Sequence, residues 1–229
     1  MTFADFRKKY HISRQDICRR TFEENRDNIR IKKEATAVKN MDAIYAAALE
    51  IANKKGFQAM TMRDLSRETQ MSMGGLYAYF AGKEDLLRTI QHQHREYFSK
   101  ILTERVKAEN HPAARLRAAI RTHLYVSEVM QPWFYFSFME TKNLPQPEKE
   151  KAIASELATE KMICDILAEG QSQGVFKPHD PRLGASVIKG MLQDWYLKRG
   201  KYAKRNVSVD QYAAYLIEFV ESFFVPNPL

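Results

Sequence analysis

An all-α fold is what this chain predicts: a small N-terminal three-helix domain with a helix-turn-helix, followed by a larger helical domain. Three observations predict it. The 229 residues include only 9 glycines and 8 prolines, with no proline before Pro112. Apolar residues recur at spacings of three and four along most of the chain, the period of one helix face. The remaining composition is rich in Ala, Glu, Lys, Met and Leu, which lose little freedom on entering a helix.

The elements follow in order. Residues 1–38 form a basic extension with a loose helical stripe at Cys18, Phe22, Asn25 and Ile29, which fits a solvated extra helix, a frayed tail or a DNA-contacting basic arm. Apolar spacing from Met41 to Ala52 predicts a helix that Gly56 stops. Thr61 stands where its hydroxyl caps a second helix, with Asp64 three residues on to complete a capping box. After a turn at Gln70, Met71 and Ser72, Ser72 caps a short third helix reaching Phe80. Two short helices around a tight turn make a helix-turn-helix. A long helix is expected over 84–108, then helices over 113–129, 133–141, 148–171, 181–199 and 209–224. The domain division expected is therefore 1–38, 39–86 and 87–229.

Hydrophobic residues at 45% and charged residues at 28% exclude a wholly disordered chain. Cys18 and Cys164 match no metal or redox spacing, so a reducing compartment is expected. Residues 1–33 are polar and charged, and the aromatic run 133–139 is far short of the roughly 20 residues of a membrane helix. A cytoplasmic protein without a membrane partner or cofactor is the expectation. The 36 Lys+Arg exceed the 28 Asp+Glu, for a net charge of +8, which permits nucleic acid as a partner.

The residues Ala43 to Leu49, Gly56-Phe57, Thr61 to Leu65, Met71 to Phe80 and Lys83 to Leu87 together closely resemble the DNA-binding domain of TetR-family (tetracycline-repressor-like) transcription regulators. The resemblance implies sequence-specific binding of double-stranded operator DNA by a homodimer, with Thr61, Arg63, Ser72, Met73, Gly74, Gly75, Tyr77, Tyr79 and Lys83 as DNA-contacting residues. Tyr77 and Lys83 would hold phosphates; Arg63, Met73 and Tyr79 would lie near bases or backbone. The physics agrees, because a recognition helix must enter a groove about 12 Å wide, and Gly74, Gly75 and Ala78 allow a close approach. Leu65, Leu76 and Phe80 are expected in the small core. The family carries glycine where this chain has Gln70, so a left-handed backbone there would cost about 1 kcal/mol. Met73 and Gly75 cannot make the paired bonds that Arg or Asn make with base edges, so specificity would lean on Arg63, Tyr79, DNA shape or the amino-terminal arm.

In the longer domain, the short helix around 133–140 carries aromatics on every side, as do helices that fill a core or line a cavity. The candidate ligand-binding residues are His123, Met130, Trp133, Phe134, Phe138, Glu140 and Trp195. A looser resemblance to TetR-type regulators of lipid metabolism implies a hydrophobic effector, such as a fatty acid or acyl-coenzyme A, that releases a repressor from its operator. The final two helices carry Met191, Trp195, Leu216, Phe219 and Phe223, with Phe224 beside them, a stripe that suits either the core of one chain or packing between subunits; the TetR-family resemblance implies the second, an isologous dimer interface. Two rival classes stay open: an enzyme with an aromatic pocket and a dimeric interaction module without DNA binding. No nucleophile, carboxylate-pair, phosphate-loop or metal pattern speaks for the enzyme. Neither catalysis nor a metal is expected.

Overall fold

The computed structural model describes residues 1–10, 13–27 and 29–226. They form twelve α-helices and one short 3-10 turn, with no strand among the described residues. The fold is all-α, as the helical periodicity predicts. Two compact units emerge, one comprising residues 11–97 and 132–152, the other residues 1–10, 98–131 and 153–229. They differ from the sequence divisions at 38/39 and 86/87, which fall inside the helices Glu34–Lys55 and Lys83–Lys107.

In the first unit, α2 (Arg14–Glu24) packs on α3 (Glu34–Lys55). Ser13 starts α2 by accepting the Asp16 amide, as an N-cap should. Ile17, Cys18, Phe22 and Ile29 are at most 2% exposed. The later part of the extension, from Ser13 on, therefore contributes to this unit's core, because burying four such side chains outweighs leaving the segment loose. α4 (Met62–Thr69) and α5 (Met73–Tyr77) follow, then the first turns of α6 (Lys83–Lys107). α8 (Gln131–Glu140) completes this unit from Pro132 onward, with Trp133 edge-on to Tyr45 at 5.3 Å and Phe136 edge-on to Phe57 at 6.1 Å.

The second unit is built on α7 (Pro112–Val129), α10 (Pro181–Leu197) and α12 (Val209–Phe224), with the later turns of α6 and α9 (Gln146–Ser172). Its amino-terminal helix α1 (Phe3–Tyr10) docks through Phe3 and Phe6 on the Tyr125 ring, at 5.5 and 5.4 Å. Asp210 fixes the same spot, accepting from Tyr125 Oη at 2.5 Å and from the Phe3 amide at 3.0 Å. Asp180 caps α10, ahead of Pro181, by accepting the Arg182 and Leu183 amides. The helix expected over 181–199 ends at Leu197, and a separate short helix, α11, spans Arg199–Lys204. No helix among the described residues is long and apolar enough to cross a membrane.

Candidate nucleic-acid interface

Thr61 begins α4 with both halves of a capping box: its Oγ1 accepts the Asp64 amide at 3.1 Å, and Asp64 Oδ2 accepts the Thr61 amide at 2.9 Å. Asp64 also accepts from Lys55 at 2.9 Å and Arg67 at 2.8 Å. These bonds hold its carboxyl well below the usual carboxylate range, led by the one from Lys55. Thr61 is thus occupied in starting α4. Arg63, one residue along the helix, is exposed, whereas Arg67 is drawn back onto Asp64.

The turn between the helices takes Gln70 to φ 57°, ψ 22°, the left-handed region where a side chain is strained. Two hydroxyls stabilise this turn: Ser66 Oγ donates to the Met71 carbonyl at 2.5 Å and Thr69 Oγ1 to that of Leu65 at 2.6 Å. Ser72 then caps α5, its Oγ accepting the Gly75 amide at 3.1 Å. Leu65 and Leu76 are fully buried and Phe80 is 4% exposed. The small core is the one the motif implies.

On the outer side, Gly74 is exposed, Met73 and Gly75 are half-buried, and Tyr77 is 45% exposed. A Cβ on Gly74 would meet nothing within 4 Å, while one on Gly75 would lie 3.2 Å from Ser72 Oγ. The fold gives a reason for glycine at position 75 and none at 74. Tyr79 and Lys83 stand differently from the reading of the motif. Tyr79 is 6% exposed and its hydroxyl accepts from Asn40 Nδ2 at 2.8 Å. It lies beyond the end of α5, where the chain turns inward onto Phe80. Lys83 Nζ donates to the carbonyls of Gln58 at 3.0 Å and Met60 at 3.3 Å, over the Phe57 ring. Its ammonium is tied to the loop before α4.

The extension adds a feature that the motif did not signal. The Arg30 amide donates to the carbonyl of Ala78 at 3.0 Å, which pins the chain to the end of α5. Arg26, Arg30, Lys32 and Lys33 are exposed. A cleft of about 410 Å³ lies there, lined among others by Asn25, Arg30, Tyr77 and Asp85.

The model of bacterial regulatory proteins of the tetR family matches residues 44–90, and that of the tetracyclin repressor-like C-terminal domain matches residues 109–220. The chain belongs to the TetR family of transcription regulators. One TetR-family relative, the HTH-type transcriptional regulator HbdR of Aromatoleum sp. (strain CIB), is 22% identical over 180 residues, covering 79% of each chain. AibR, solved with isovaleryl coenzyme A and operator DNA, shares the fold at TM-score 0.70 and 24% identity, over 82% of this chain and all of that one. The ketosteroid transcriptional regulator KstR2 of Mycobacterium tuberculosis shares it at TM-score 0.73 and 18% identity, over 82% and 96%.

In this TetR-family chain the residues expected to meet an effector are divided between the units. In the first unit, Trp133 and Phe134 are buried and Phe138 is 42% exposed. The Phe134 ring meets His94 edge-on at 4.4 Å. Glu140 is 5% exposed; its carboxylate accepts from the Phe57 amide at 3.1 Å and Asn143 Nδ2 at 2.5 Å. In the second unit, His123, Met130 and Trp195 are buried. His123 stands edge-on to Phe98 at 5.0 Å and stacks with Tyr196 at 6.3 Å. Trp195 is locked in place: Nε1 donates to Glu128 at 3.1 Å, Arg199 lies over the ring, and Tyr202 and Tyr212 flank it at 5.0 Å.

The second unit also exposes an apolar face. Leu183 (66%), Val187 (60%), Phe219 (53%) and Phe223 (62%) border, with Met191, a cleft of about 420 Å³ between α10 and α12. Of the five residues expected at a dimer interface, Met191, Phe219 and Phe223 line this cleft, whereas Trp195 and Leu216 are buried inside the unit. The reason is geometric. Each step of four residues overshoots a full helical turn by about 40°, so a stripe that leaves Leu183 facing solvent has rotated into the core by Trp195. Leu183, Val187 and the exposed Tyr215 fall on the outer stripe instead.

Proposed function

We propose that this chain is a homodimeric repressor that grips a two-fold operator through α4 and α5 and leaves it when a hydrophobic acyl compound binds. One observation carries the DNA reading. Arg63 of α4 and Gly74 and Tyr77 of α5 are all exposed, and nothing in the fold requires the missing side chain of Gly74. A close approach to a groove supplies the requirement. Tyr79, Thr61 and Lys83 then act indirectly, by fixing α5, the start of α4 and the loop before it. Tyr77, Arg63 and the amides at the start of α5 face the duplex, with Met73 and Gly75 close by.

Arg30, tethered to the end of α5, extends this surface with phosphate contacts. Replacing Arg30 by Ala is expected to weaken binding to every duplex several-fold and to reduce the dependence of log affinity on log salt by about 1. Fluorescence anisotropy on specific and random duplexes reads both.

The apolar cleft between α10 and α12 is proposed as the dimer face, since solvent-facing Leu, Val and Phe at this density are costly on a lone chain. A hydrophobic effector is supported by the buried aromatics of the second unit, Phe98 and Tyr196, and by AibR, whose structure holds isovaleryl coenzyme A with operator DNA. An effector shifts DNA affinity only as far as it prefers one conformation over the other. α6, whose residues belong to both units, is the element through which that preference would reach α4 and α5. Adding fatty acids and acyl-coenzyme A esters of graded length to the protein–operator complex tests this reading: at least one series should release the DNA. A complex unmoved by any acyl compound would remove the effector class.

A further inference from the structure

Lys189 lies in the buried stripe of α10, with Ala185, Ile188, Leu192, Trp195 and Tyr196, and is 6% exposed. An ammonium has three donors and no acceptor. Among the described residues its one hydrogen-bond neighbour is His123 Nε2, at 3.4 Å, and no carboxylate stands within ion-pair distance of it. Glu156 and Glu160 of α9 act on it only from further away; they accept from Gln193 and Ser186, respectively. Burial pulls the Lys189 pKa down from 10.5 to about 8, so it is still mostly protonated at neutral pH. A buried cation with one long contact to an imidazole nitrogen and no carboxylate at ion-pair distance is costly, because little returns the lost hydration. The imidazole that faces it is framed by aromatic rings, Phe98 edge-on and Tyr196 stacked.

We infer that Lys189 and His123 form an anion subsite that pairs with the carboxylate of an amphipathic effector, whose hydrocarbon part lies against the neighbouring aromatic rings. This rests on the reading that the chain binds a hydrophobic effector, and it names the head group. A carboxylate supplies the charge that Lys189 lacks and accepts bonds from its remaining donors. Within a stripe that otherwise buries only apolar and aromatic side chains, a lysine is retained for what it binds rather than for stability.

The test uses the full chain without DNA, with decanoate, decanamide and decan-1-ol as probes in calorimetry at pH 7. Decanoate should bind at least tenfold more tightly than the two neutral compounds. In Lys189→Met that preference should shrink below threefold while the neutral compounds bind as before, and Lys189→Arg should restore part of it. Thermal unfolding without ligand supplies a second reading: Lys189→Met should melt at the wild-type temperature or above, since it removes a buried charge. The sign with pH follows. A lysine whose pKa is lower in the folded chain costs stability in full below pH 8 and less as pH rises toward 10.5, so any gain of Lys189→Met should fade over that range, with His123, Glu156 and Glu160 common to both proteins.

Equal binding of all three probes by the wild type would overturn the subsite and leave the hydrophobic-effector reading standing. No binding of any probe would overturn both. A preference for decanoate that survives Lys189→Met, or a marked loss of melting temperature in that variant, would show that the lysine serves the fold instead.

Discussion

Gly74→Leu is expected to abolish specific DNA binding, by at least a hundredfold in affinity, while making the folded chain slightly more stable. The two effects have separate origins. Gly74 is exposed within α5, and a Cβ there meets nothing within 4 Å, so the leucine has room. Glycine inside a helix costs about 1 kcal/mol against better helix formers, and recovering that should raise the melting temperature by roughly 2–4 °C in a chain of this size. In the complex the same side chain occupies the space that the groove edge must take up, so protein and duplex are held apart and the contacts of Arg63 and Tyr77 are lost together. Anisotropy and thermal melting on one preparation read both quantities. A variant that binds like the wild type would mean that α5 does not enter a groove. Gly75 is a poorer probe, because its Cβ would press on Ser72 Oγ at 3.2 Å and disturb the cap that starts the helix.

Phe219→Glu should convert the dimer to a monomer and cost operator affinity by about a hundredfold. Phe219 is 53% exposed on a single chain, so the substitution leaves the unit's core intact and helical content should not change. In the proposed two-fold dimer the carboxylates of both copies would lie in one apolar face, where an unpaired charge is costly to bury. Once the copies separate, each half-site is gripped alone and the gain from linked binding disappears. Sedimentation gives the mass, and titration of a full and a half operator gives the affinity. Leu216→Ala makes the contrast: Leu216 is 3% exposed, so its loss should lower the melting temperature through a cavity costing about 2–5 kcal/mol with the dimer retained. If Phe219→Glu stays dimeric, the subunits meet elsewhere.

Much of this was legible in the residues themselves. Thr61 with Asp64 and Ser72 with Gly75 announce two helix starts because capping is local chemistry, needing only residues three apart. The long helices follow from spacing for the same reason. What periodicity does not carry is which of two apolar stripes on one helix faces inward. α10 has Leu183 and Val187 outside but Ile188, Leu192 and Trp195 inside, and only the neighbouring helices decide between them. The same limit applies to Tyr77 and Tyr79, two residues apart, of which one faces solvent and the other meets Asn40 of α3. Lys83 reads as a free cation until the loop carbonyls of Gln58 and Met60 come into view. The extension reads as a basic helix or tail without a fixed place, because its partner surface on α3 lies further along the chain. Lys189 did leave a trace: it falls in step with Ala185, Ile188 and Leu192, where a lone cation breaks the rule of an apolar stripe.

Binding of a particular duplex sequence by α4 and α5 is open to a single titration. The purified chain is mixed with labelled DNA from upstream of its own gene, and with a random duplex of equal length, across a series of salt concentrations. Binding to the first should be saturable and at least a thousandfold tighter than to the second near physiological salt, with both affinities falling steeply as salt rises through release of counterions. Equal affinity for the two duplexes at every salt concentration would contradict it.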